Sequence, residues 1–272
     1  MPRAERAGFP TWWREFGKGP RAGLAIHCSL AHSGSWGTVA RDLAEVLTIT
    51  AFDLPGHGQS AAWDGRGEIQ AVSTAIAADF LDRPADVIGH SFGATVALRL
   101  AVERPDLVRT LILYEPVFFA VAFADQPQMR AAYAAIMAEY DAGIAAGDYP
   151  RAAAEFTRIW GDGRLWVDLP VASRAQLASQ MPLIEAAAPA LHDDAGGMLS
   201  SGALARIGVP VLLMEGSASP PIIAAINAGL AARMPLARRA VIAGAGHMGP
   251  ITHPAQMAAE IRRFLEAGVK VG

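Results

Sequence analysis

The stretch that most constrains this chain is residues 89–93, which read Gly-His-Ser-Phe-Gly. It follows the run Asp-Val-Ile at residues 86–88 and precedes the helix-forming residues 94–98, so the order predicts a strand, a sharp turn and a helix. In a G-x-S-x-G turn of this kind the serine sits at a strained tip, and the glycines let the two backbones approach closely. The pattern therefore predicts that the Ser91 hydroxyl projects beside the free N–H groups of a helix N-terminus, as a nucleophile requires.

Composition excludes several classes of function. The 272 residues are 52% hydrophobic, enough for one α/β domain with an insertion or for two small domains. A formal net charge of −3 gives no basic surface for nucleic acid, and no basic amphipathic segment suggests a membrane surface. Seven histidines with one cysteine, and no H-x-x-x-H or H-E-x-x-H pattern, predict no metal site, and we expect no cofactor.

The compartment is predicted from cysteine usage and from the apolar runs. The single cysteine, Cys28, excludes an internal disulfide and fits a reducing compartment. The first residues lack the apolar core of a secretory signal, and no apolar run reaches the length of a membrane span. We therefore expect a soluble cytoplasmic protein that acts on a small molecule and has neither nucleic acid nor membrane as a partner. The sequence does not indicate an oligomeric state.

Short β-type runs alternate with helical patterns along most of the chain. This alternation predicts a doubly wound, mostly parallel sheet with helices on both faces. The expected strands are residues 12–16, 23–27, 47–53, 86–90, 109–115, 209–215 and 238–242. Loops rich in Gly, Pro, Ser or His follow most of them, where such a sheet places its ligands.

The alternation stops between Pro116 and about Ile207. This segment is Ala-rich and helical, with an apolar stripe at steps of three and four that comprises Met129, Tyr133, Ile136, Met137, Tyr140 and Ile144. We interpret residues 117–207 as a helical cap inserted into an α/β core formed by residues 1–116 and 208–272. A separate helical domain is the alternative.

His247 is the expected general base, because a serine hydroxyl is a poor nucleophile until a base takes its proton. It lies in a Gly-x-Gly-His loop directly after the last apolar strand, and Gly244 and Gly246 free that loop to reach back over the sheet edge. The remaining histidines are interpreted as structural or peripheral, with His32 at the pocket mouth: His27, His32, His57, His90, His192 and His253.

Four ordered motifs resemble those of the α/β-hydrolase superfamily, in particular its cap-bearing serine hydrolases. They are His-Cys-Ser-Leu at residues 27–30, Asp-Leu-Pro-Gly-His-Gly-Gln-Ser at 53–60, the turn at 89–93, and Gly-Ala-Gly-His-Met at 244–248. The resemblance spans about residues 12 to 267. It is specific for the fold and only modestly specific for any one reaction.

The resemblance implies an oxyanion hole made by two backbone N–H groups, those of Phe92 and Ser29. Family members usually carry a glycine after the histidine of the first loop, and here that residue is Cys28. A second nucleophile at Cys28 is the bolder interpretation; a small buried residue in a glycine position is favoured, because no base motif accompanies it.

The acid is where this chain departs from the family pattern. Many members place an aspartate in a Gly-x-x-Asp turn, but the corresponding turn here ends in Ser219. A serine cannot stabilise the imidazolium that forms when His247 takes a proton. We predict Glu115, at the end of the strand after the nucleophile strand, as the acid. Glu215 is the alternative, and the absence of any true acid is a third.

The pocket residues expected from the motif loops and the cap are largely apolar: Leu30, Phe92, Phe118, Phe119, Trp160, Trp166 and Met248. They favour a small or medium uncharged substrate and a serine esterase or related acyl hydrolase that uses Ser91, His247 and Glu115. Dehalogenation is disfavoured because that chemistry uses an aspartate nucleophile. Carbon–carbon bond hydrolysis and perhydrolysis at the same site are alternatives, as is a ligand-binding or signalling homologue with a weak or vestigial serine.

Overall fold

An eight-stranded sheet runs through a computed structural model that describes residues 3–268. Its strands are β1 (Arg3–Arg6), β2 (Phe9–Phe16), β3 (Arg21–Ile26), β4 (Leu47–Phe52), β5 (Ala85–His90), β6 (Val108–Tyr114), β7 (Val211–Gly216) and β8 (Ala237–Ile242). Their order is β1-β2-β4-β3-β5-β6-β7-β8. The two pairings that involve β2 are antiparallel and all others are parallel. The predicted fold class is thus confirmed.

Strand β1 was not expected from the sequence. Its residues, Arg-Ala-Glu-Arg, carry no apolar alternation, and three of the four are exposed at the edge of the sheet. Backbone pairing with β2, and not burial of side chains, keeps β1 in the sheet. The pattern of hydrophobic residues therefore contains no signal that predicts β1. The other seven strands lie within a few residues of their predicted positions.

Two helical layers cover the sheet. The helices are α1 (Gly37–Asp42), α2 (Ile69–Asp79), α3 (Phe92–Glu103), α4 (Phe119–Asp125), α5 (Gln128–Ala145), α6 (Tyr149–Trp160), α7 (Val171–Ser179), α8 (Met181–His192), α9 (Pro221–Arg233), α10 (Gly249–Thr252) and α11 (Pro254–Gly268). Helices α2, α3 and α9 pack in one apolar core, whereas α1 and α11 pack in the core on the opposite face. Among residues 3–268 no helix is long and apolar enough to cross a bilayer.

Residues 117–207, between β6 and β7, form helices joined by loops and contain no strand. Part of this segment has a small core of its own, formed by Met137, Tyr140, Ala152, Ala153, Ala178 and Met181. One member of the predicted apolar stripe, Ile136, does not belong to this core: it is 44% exposed. The exact division into core and cap at residues 117 and 207 stays a prediction.

The carboxyl ends of the parallel strands meet at one edge of the sheet. Strand β5 leads directly into Ser91, and β6 leads into Glu115. The loop after β8 leads to His247. Side chains that are more than 150 residues apart in the sequence are thereby brought to one place.

Candidate active site

The turn after β5 holds Ser91 in a strained conformation, with φ 56° and ψ −120°. A Cβ atom on Gly89 would lie 2.5 Å from the Cα atom of Ala94, and one on Gly93 would collide with the carbonyl groups that end β3. Only glycine therefore fits at these two positions. The strain is of the kind that functional sites retain, and it directs the serine hydroxyl away from the sheet.

His247 lies between Ser91 and Glu115. Its Nε2 atom is 2.9 Å from Ser91 Oγ, and its Nδ1 atom is 2.7 Å from Glu115 Oε2. Because a carboxylate only accepts, Nδ1 carries the proton and donates it to Glu115. The lone pair of Nε2 is then free to accept the Ser91 hydroxyl proton. All three side chains are buried.

Glu115 has no exposed surface and adopts a positive φ of 48°, so its placement is built into the turn after β6. Its second oxygen, Oε1, accepts a 2.7 Å hydrogen bond from the Gly216 N–H and another from the Ser219 hydroxyl. Ser219 occupies the position where many family members carry aspartate, and here it donates to the carboxylate that contacts His247. The structure thus brings Glu115 and Ser219 together at this point.

Glu215, the alternative acid, does not contact His247. Its carboxylate accepts hydrogen bonds from Asn227 Nδ2 at 2.7 Å and from the Arg239 guanidinium at 2.9 Å. Asn227 belongs to α9 and Arg239 to β8, so the side chain of Glu215 contacts these two elements rather than the candidate site. Glu215 lies within β7 itself, where successive side chains point to opposite faces of the sheet.

Neighbouring groups fix the loop that carries His247. The Tyr114 hydroxyl donates to the Gly246 carbonyl at 2.8 Å, and the ring of His90 donates through Nε2 to the His247 carbonyl at 2.8 Å. Burial, and then the neighbouring His247, hold the pKa of His90 well below its usual value. His90 is a neutral donor that positions the loop, in agreement with its predicted structural role.

The two residues whose backbone N–H groups are expected to bind an oxyanion lie at the same cavity as Ser91. Ser29 and Phe92 both line it, and within residues 3–268 neither N–H donates to another protein group. Cys28, which precedes Ser29 in the chain, is buried, and burial raises the pKa of its thiol to about 12. A thiol that stays protonated is a poor nucleophile, which agrees with the packing role favoured for Cys28.

A buried histidine forms hydrogen bonds that hold the loop carrying Cys28 and Ser29. His27 donates through Nδ1 to the Cys28 carbonyl at 2.7 Å and accepts the Leu54 N–H at Nε2, 3.0 Å away. Burial, and then His57, lower the pKa of His27 to about 3. His32, expected at the pocket mouth, instead accepts the Gly34 N–H and caps a short turn.

Comparison with known proteins decides the family. The model of the alpha/beta hydrolase family matches residues 24–260 of this chain. The chain belongs to the alpha/beta hydrolase family. A pimeloyl-[acyl-carrier protein] methyl ester esterase of Neisseria meningitidis serogroup B is 32% identical over 228 residues, which are 82% of this chain and 84% of that protein.

A second relative is similar in sequence, and a solved structure is similar in fold. The lipase LipV of Mycobacterium tuberculosis is 41% identical over 127 residues, 45% of this chain and 46% of that protein. The structure of an N-acyl homoserine lactone degrading enzyme matches with a TM-score of 0.73 at 21% identity, over 97% of this chain and 100% of that one. The protein is an esterase-like hydrolase of this family.

A cavity of about 310 Å³ lies over Ser91 in this hydrolase. Of the predicted pocket residues, the cavity is lined by Phe92, Phe119, Trp160 and Met248. Three others lie elsewhere, and their predicted pocket role is corrected. Phe118 is fully buried in the main core, while Leu30 and Trp166 pack against the small core of the helical segment. All three are aromatic or apolar residues near a motif or in the helical segment, and such residues more often fill cores.

Polar lining residues of the hydrolase were missed in the sequence. The cavity is also lined by Arg130, Tyr133, Tyr140, Asp141, Glu185 and His192. His192, interpreted as peripheral, therefore belongs to the cavity wall. Its position at the end of α8 gave no motif, and only the packing of α8 against α4 and α5 turns its ring inward.

Proposed function

We propose that this protein is a serine esterase that hydrolyses small to medium, mainly apolar esters through Ser91, His247 and Glu115. The observation that carries the proposal is the unbroken hydrogen-bonded chain from the Ser91 hydroxyl through His247 to Glu115, at the base of a cavity. Nucleophile, base and orienting carboxylate in this order are the arrangement that acyl transfer to water requires.

The first half of the reaction forms an acyl-enzyme. Ser91 Oγ attacks the ester carbonyl carbon while His247 Nε2 accepts the serine proton. Glu115 stabilises the imidazolium so formed. The carbonyl oxygen becomes an oxyanion that the N–H groups of Ser29 and Phe92 stabilise, a contribution of about 3–4 kcal/mol for each such donor. His247 then protonates the departing alcohol.

The second half releases the acid. A water molecule gives its proton to His247 Nε2 and attacks the acyl carbon, and the second oxyanion occupies the same two donors. When this intermediate collapses, His247 returns the proton to Ser91 Oγ. The enzyme regains its starting state and the carboxylic acid leaves.

The size and lining of the cavity support the substrate class. About 310 Å³ suits a small or medium molecule, and Phe92, Trp160 and Met248 are among the apolar residues that line the cavity. The similarity to a methyl ester esterase and to a lipase supports ester hydrolysis. We propose a small-molecule ester as the partner, without nucleic acid or membrane, and the predicted cytoplasmic location stays a prediction.

Fewer observations support the alternative functions. The serine at position 219, where many family members carry aspartate, is the feature that favours a ligand-binding homologue, whereas the hydrogen bonds of Glu115 to His247, Gly216 and Ser219 support Glu115 as the acid. Carbon–carbon bond hydrolysis and perhydrolysis would use the same residues and stay untested predictions.

A fluorophosphonate probe tests the proposal, since it modifies only an activated serine. We expect labelling of the wild-type protein at Ser91, hydrolysis of short-chain p-nitrophenyl esters, and loss of both in Ser91→Ala. Ser179→Ala, which removes a hydroxyl at the end of α7, is the matched control and should retain both. A wild-type protein that is neither labelled nor active on such esters would refute the proposal.

A further inference from the structure

Five rings form a continuous wall along the cavity, which we call the aromatic wall: Phe119, Phe123, Tyr133, Trp160 and His192. It begins beside the candidate base, where the centroids of the Trp160 and His247 rings are 4.9 Å apart. Phe119 follows, with its ring centroid 6.0 Å from that of Trp160. The wall therefore leads from the reacting atoms into the helical segment.

The far end of the aromatic wall carries two polar groups. Phe119 contacts both Tyr133 and His192, with ring centroids 4.5 and 5.0 Å away, and these two rings are 5.5 Å from each other. Within residues 3–268 neither the Tyr133 hydroxyl nor the nitrogens of the His192 ring have a hydrogen-bond partner. Both residues line the cavity and are half-buried. By contrast, the Tyr140 hydroxyl donates to Glu185 at 2.6 Å.

Polar groups without a protein partner in a largely apolar wall are the feature that fixes a ligand's orientation. We propose that Tyr133 and His192 form a polar subsite that binds the hydroxyl group of a phenolic ring, so that the preferred substrates are esters carrying a hydroxyaryl group. This inference rests on the proposed esterase function and names its substrate class. An aryl ring would stack along Phe119 and Trp160 while its hydroxyl reaches Tyr133 and His192.

A neutral hydroxyl fits this end of the cavity better than an anion. Burial lowers the pKa of His192, so at neutral pH its ring is uncharged and both donates and accepts. Asp141 and Glu185 line the same cavity and repel a carboxylate. Arg130 also lines the cavity, but its guanidinium lies over the Phe123 ring at 4.5 Å, donates to the His192 carbonyl at 3.3 Å and pairs with Asp193 at 3.7 Å.

Binding to the inactive Ser91→Ala protein tests the subsite without requiring turnover. The ligands are methyl 3-arylpropanoates and 2-arylethyl acetates, which carry the ring on opposite sides of the ester, each with phenyl, 3-hydroxyphenyl, 4-hydroxyphenyl or 4-carboxyphenyl. In a ligand-observed NMR titration we expect at least one hydroxyaryl ester to bind about 5- to 10-fold more tightly than its phenyl counterpart, the effect of one or two good hydrogen bonds. The carboxylate should bind more weakly than the hydroxyl.

Two ring-preserving variants localise the effect. Tyr133→Phe and His192→Phe, each in the Ser91→Ala background, should each reduce the hydroxyl preference to less than about 3-fold, because each removes one hydrogen-bonding group. Tyr149→Phe, which removes an exposed hydroxyl on α6 outside the cavity, should leave the preference unchanged. Thermal melting checks that every variant is folded.

The outcomes separate this inference from the proposed function. Equal affinity for hydroxyaryl and phenyl esters in both series, a preference that survives in both variants, or tighter binding of the carboxylate overturns the subsite while Ser91 labelling still supports the esterase. A wild-type protein that is neither labelled at Ser91 nor active on p-nitrophenyl esters overturns the esterase, whereas a hydroxyl preference in the titration would still support the subsite.

Discussion

Glu115 and Asp86 are both carboxylates without exposed surface in the same sheet, but they lie at opposite edges and have different kinds of partner. Asp86, at the amino edge, accepts hydrogen bonds from the guanidinium groups of Arg21 and Arg109 at 2.6–3.0 Å and from the Thr110 hydroxyl at 2.8 Å. Glu115, at the carboxyl edge, accepts hydrogen bonds from the Gly216 N–H, the Ser219 hydroxyl and His247, and within residues 3–268 no arginine or lysine donates to it.

This difference distinguishes a carboxylate that stabilises the fold from one that takes part in the proposed reaction. Burial alone would raise the pKa of Asp86, but hydrogen bonds from Arg21 and Arg109 outweigh it and hold the pKa below its usual value. The charge of Asp86 is thus compensated permanently. The charge of Glu115 is fully compensated only when His247 becomes protonated, which is when an esterase needs it.

Backbone strain follows the same division. Among residues 3–268, five non-glycine residues have a positive φ, and three of them follow the carboxyl ends of β3, β5 and β6: Leu30, Ser91 and Glu115. The network around Asp86 contains none of them. Strain and incompletely compensated charge are concentrated where the chemistry is proposed, as expected of a functional edge.

The largest effect is expected at the base. His247→Ala should lower kcat on a short-chain ester by on the order of 10⁴-fold or more, because within residues 3–268 the only side chain that hydrogen-bonds to Ser91 Oγ is His247. Steady-state kinetics with a circular dichroism spectrum check activity and folding together. If a folded His247→Ala variant lost less than about 10-fold in kcat, the reaction would not depend on the residues at the carboxyl edge.

Glu115→Gln should lower kcat by about 10³- to 10⁴-fold, since glutamine keeps the shape but cannot stabilise the imidazolium. Glu215→Gln is the matched control, because Glu215 is also at the end of a strand yet bonds Asn227 and Arg239. It should retain kcat within about 3-fold of the wild type. Similar losses in both variants would contradict the assignment of the acid.

Asp86→Asn should show the opposite behaviour. Removing the charge leaves two partly buried guanidinium groups uncompensated, and we expect the free energy of unfolding to fall by about 3–5 kcal/mol. The kcat of the folded fraction should stay within about 2-fold of the wild type, since no contact of Asp86 reaches Ser91. Urea unfolding and kinetics below the transition measure the two quantities. An Asp86→Asn variant with a lower kcat and an unchanged free energy of unfolding would contradict the assignment of a purely structural role to Asp86.

Acid should destabilise the carboxyl edge first. Burial lowers the pKa of His27 to about 3 and that of His57 to about 4, so below the ordinary value near 6.5 the unfolded chain binds more protons than the folded one. Stability is therefore lost as pH falls from about 6.5 towards these values. Urea unfolding at pH 7 and pH 5 should differ by at least about 1 kcal/mol. His57→Gln should reduce that difference; an unchanged difference would show that His57 is not the source.

The smallest effect is expected at Ser219. Ser219→Ala removes one of three hydrogen bonds to Glu115 and should lower kcat by about 10-fold, close to the value of one hydrogen bond to a charged group. Ser219→Asp would place a second carboxylate against Glu115 and should lower activity further rather than restore a more usual acid. An activity equal to the wild type in Ser219→Ala would mean that Gly216 alone positions Glu115.

How much of this was predictable differs between the two halves of the site. Ser91 and His247 were predictable because glycine is required locally, at Gly89 and Gly93 and in the Gly-x-Gly-His loop, and such requirements leave a pattern in the sequence. Glu115 was predictable from a charge at the end of an apolar strand, whereas its bond to Ser219 depends on how the turns after β6 and β7 meet.

The cavity wall was far less predictable. Tyr133 and Ile136 both belong to the apolar stripe of α5, yet Tyr133 lines the cavity and Ile136 is exposed. Helical periodicity identifies an apolar face but not the neighbour that it meets. His192 had no periodic signal at all, because its ring is oriented by contacts with Phe119 and Tyr133 from other helices.

The central claim is that Glu115 acts on the reaction through His247, and a double-variant cycle measures this directly. The kcat values of Glu115→Gln, His247→Ala and the double variant are compared with that of the wild type. If the two residues work as one unit, the double variant should be no less active than His247→Ala alone. Losses that multiply in the double variant would mean that Glu115 and His247 act independently, which would contradict the account.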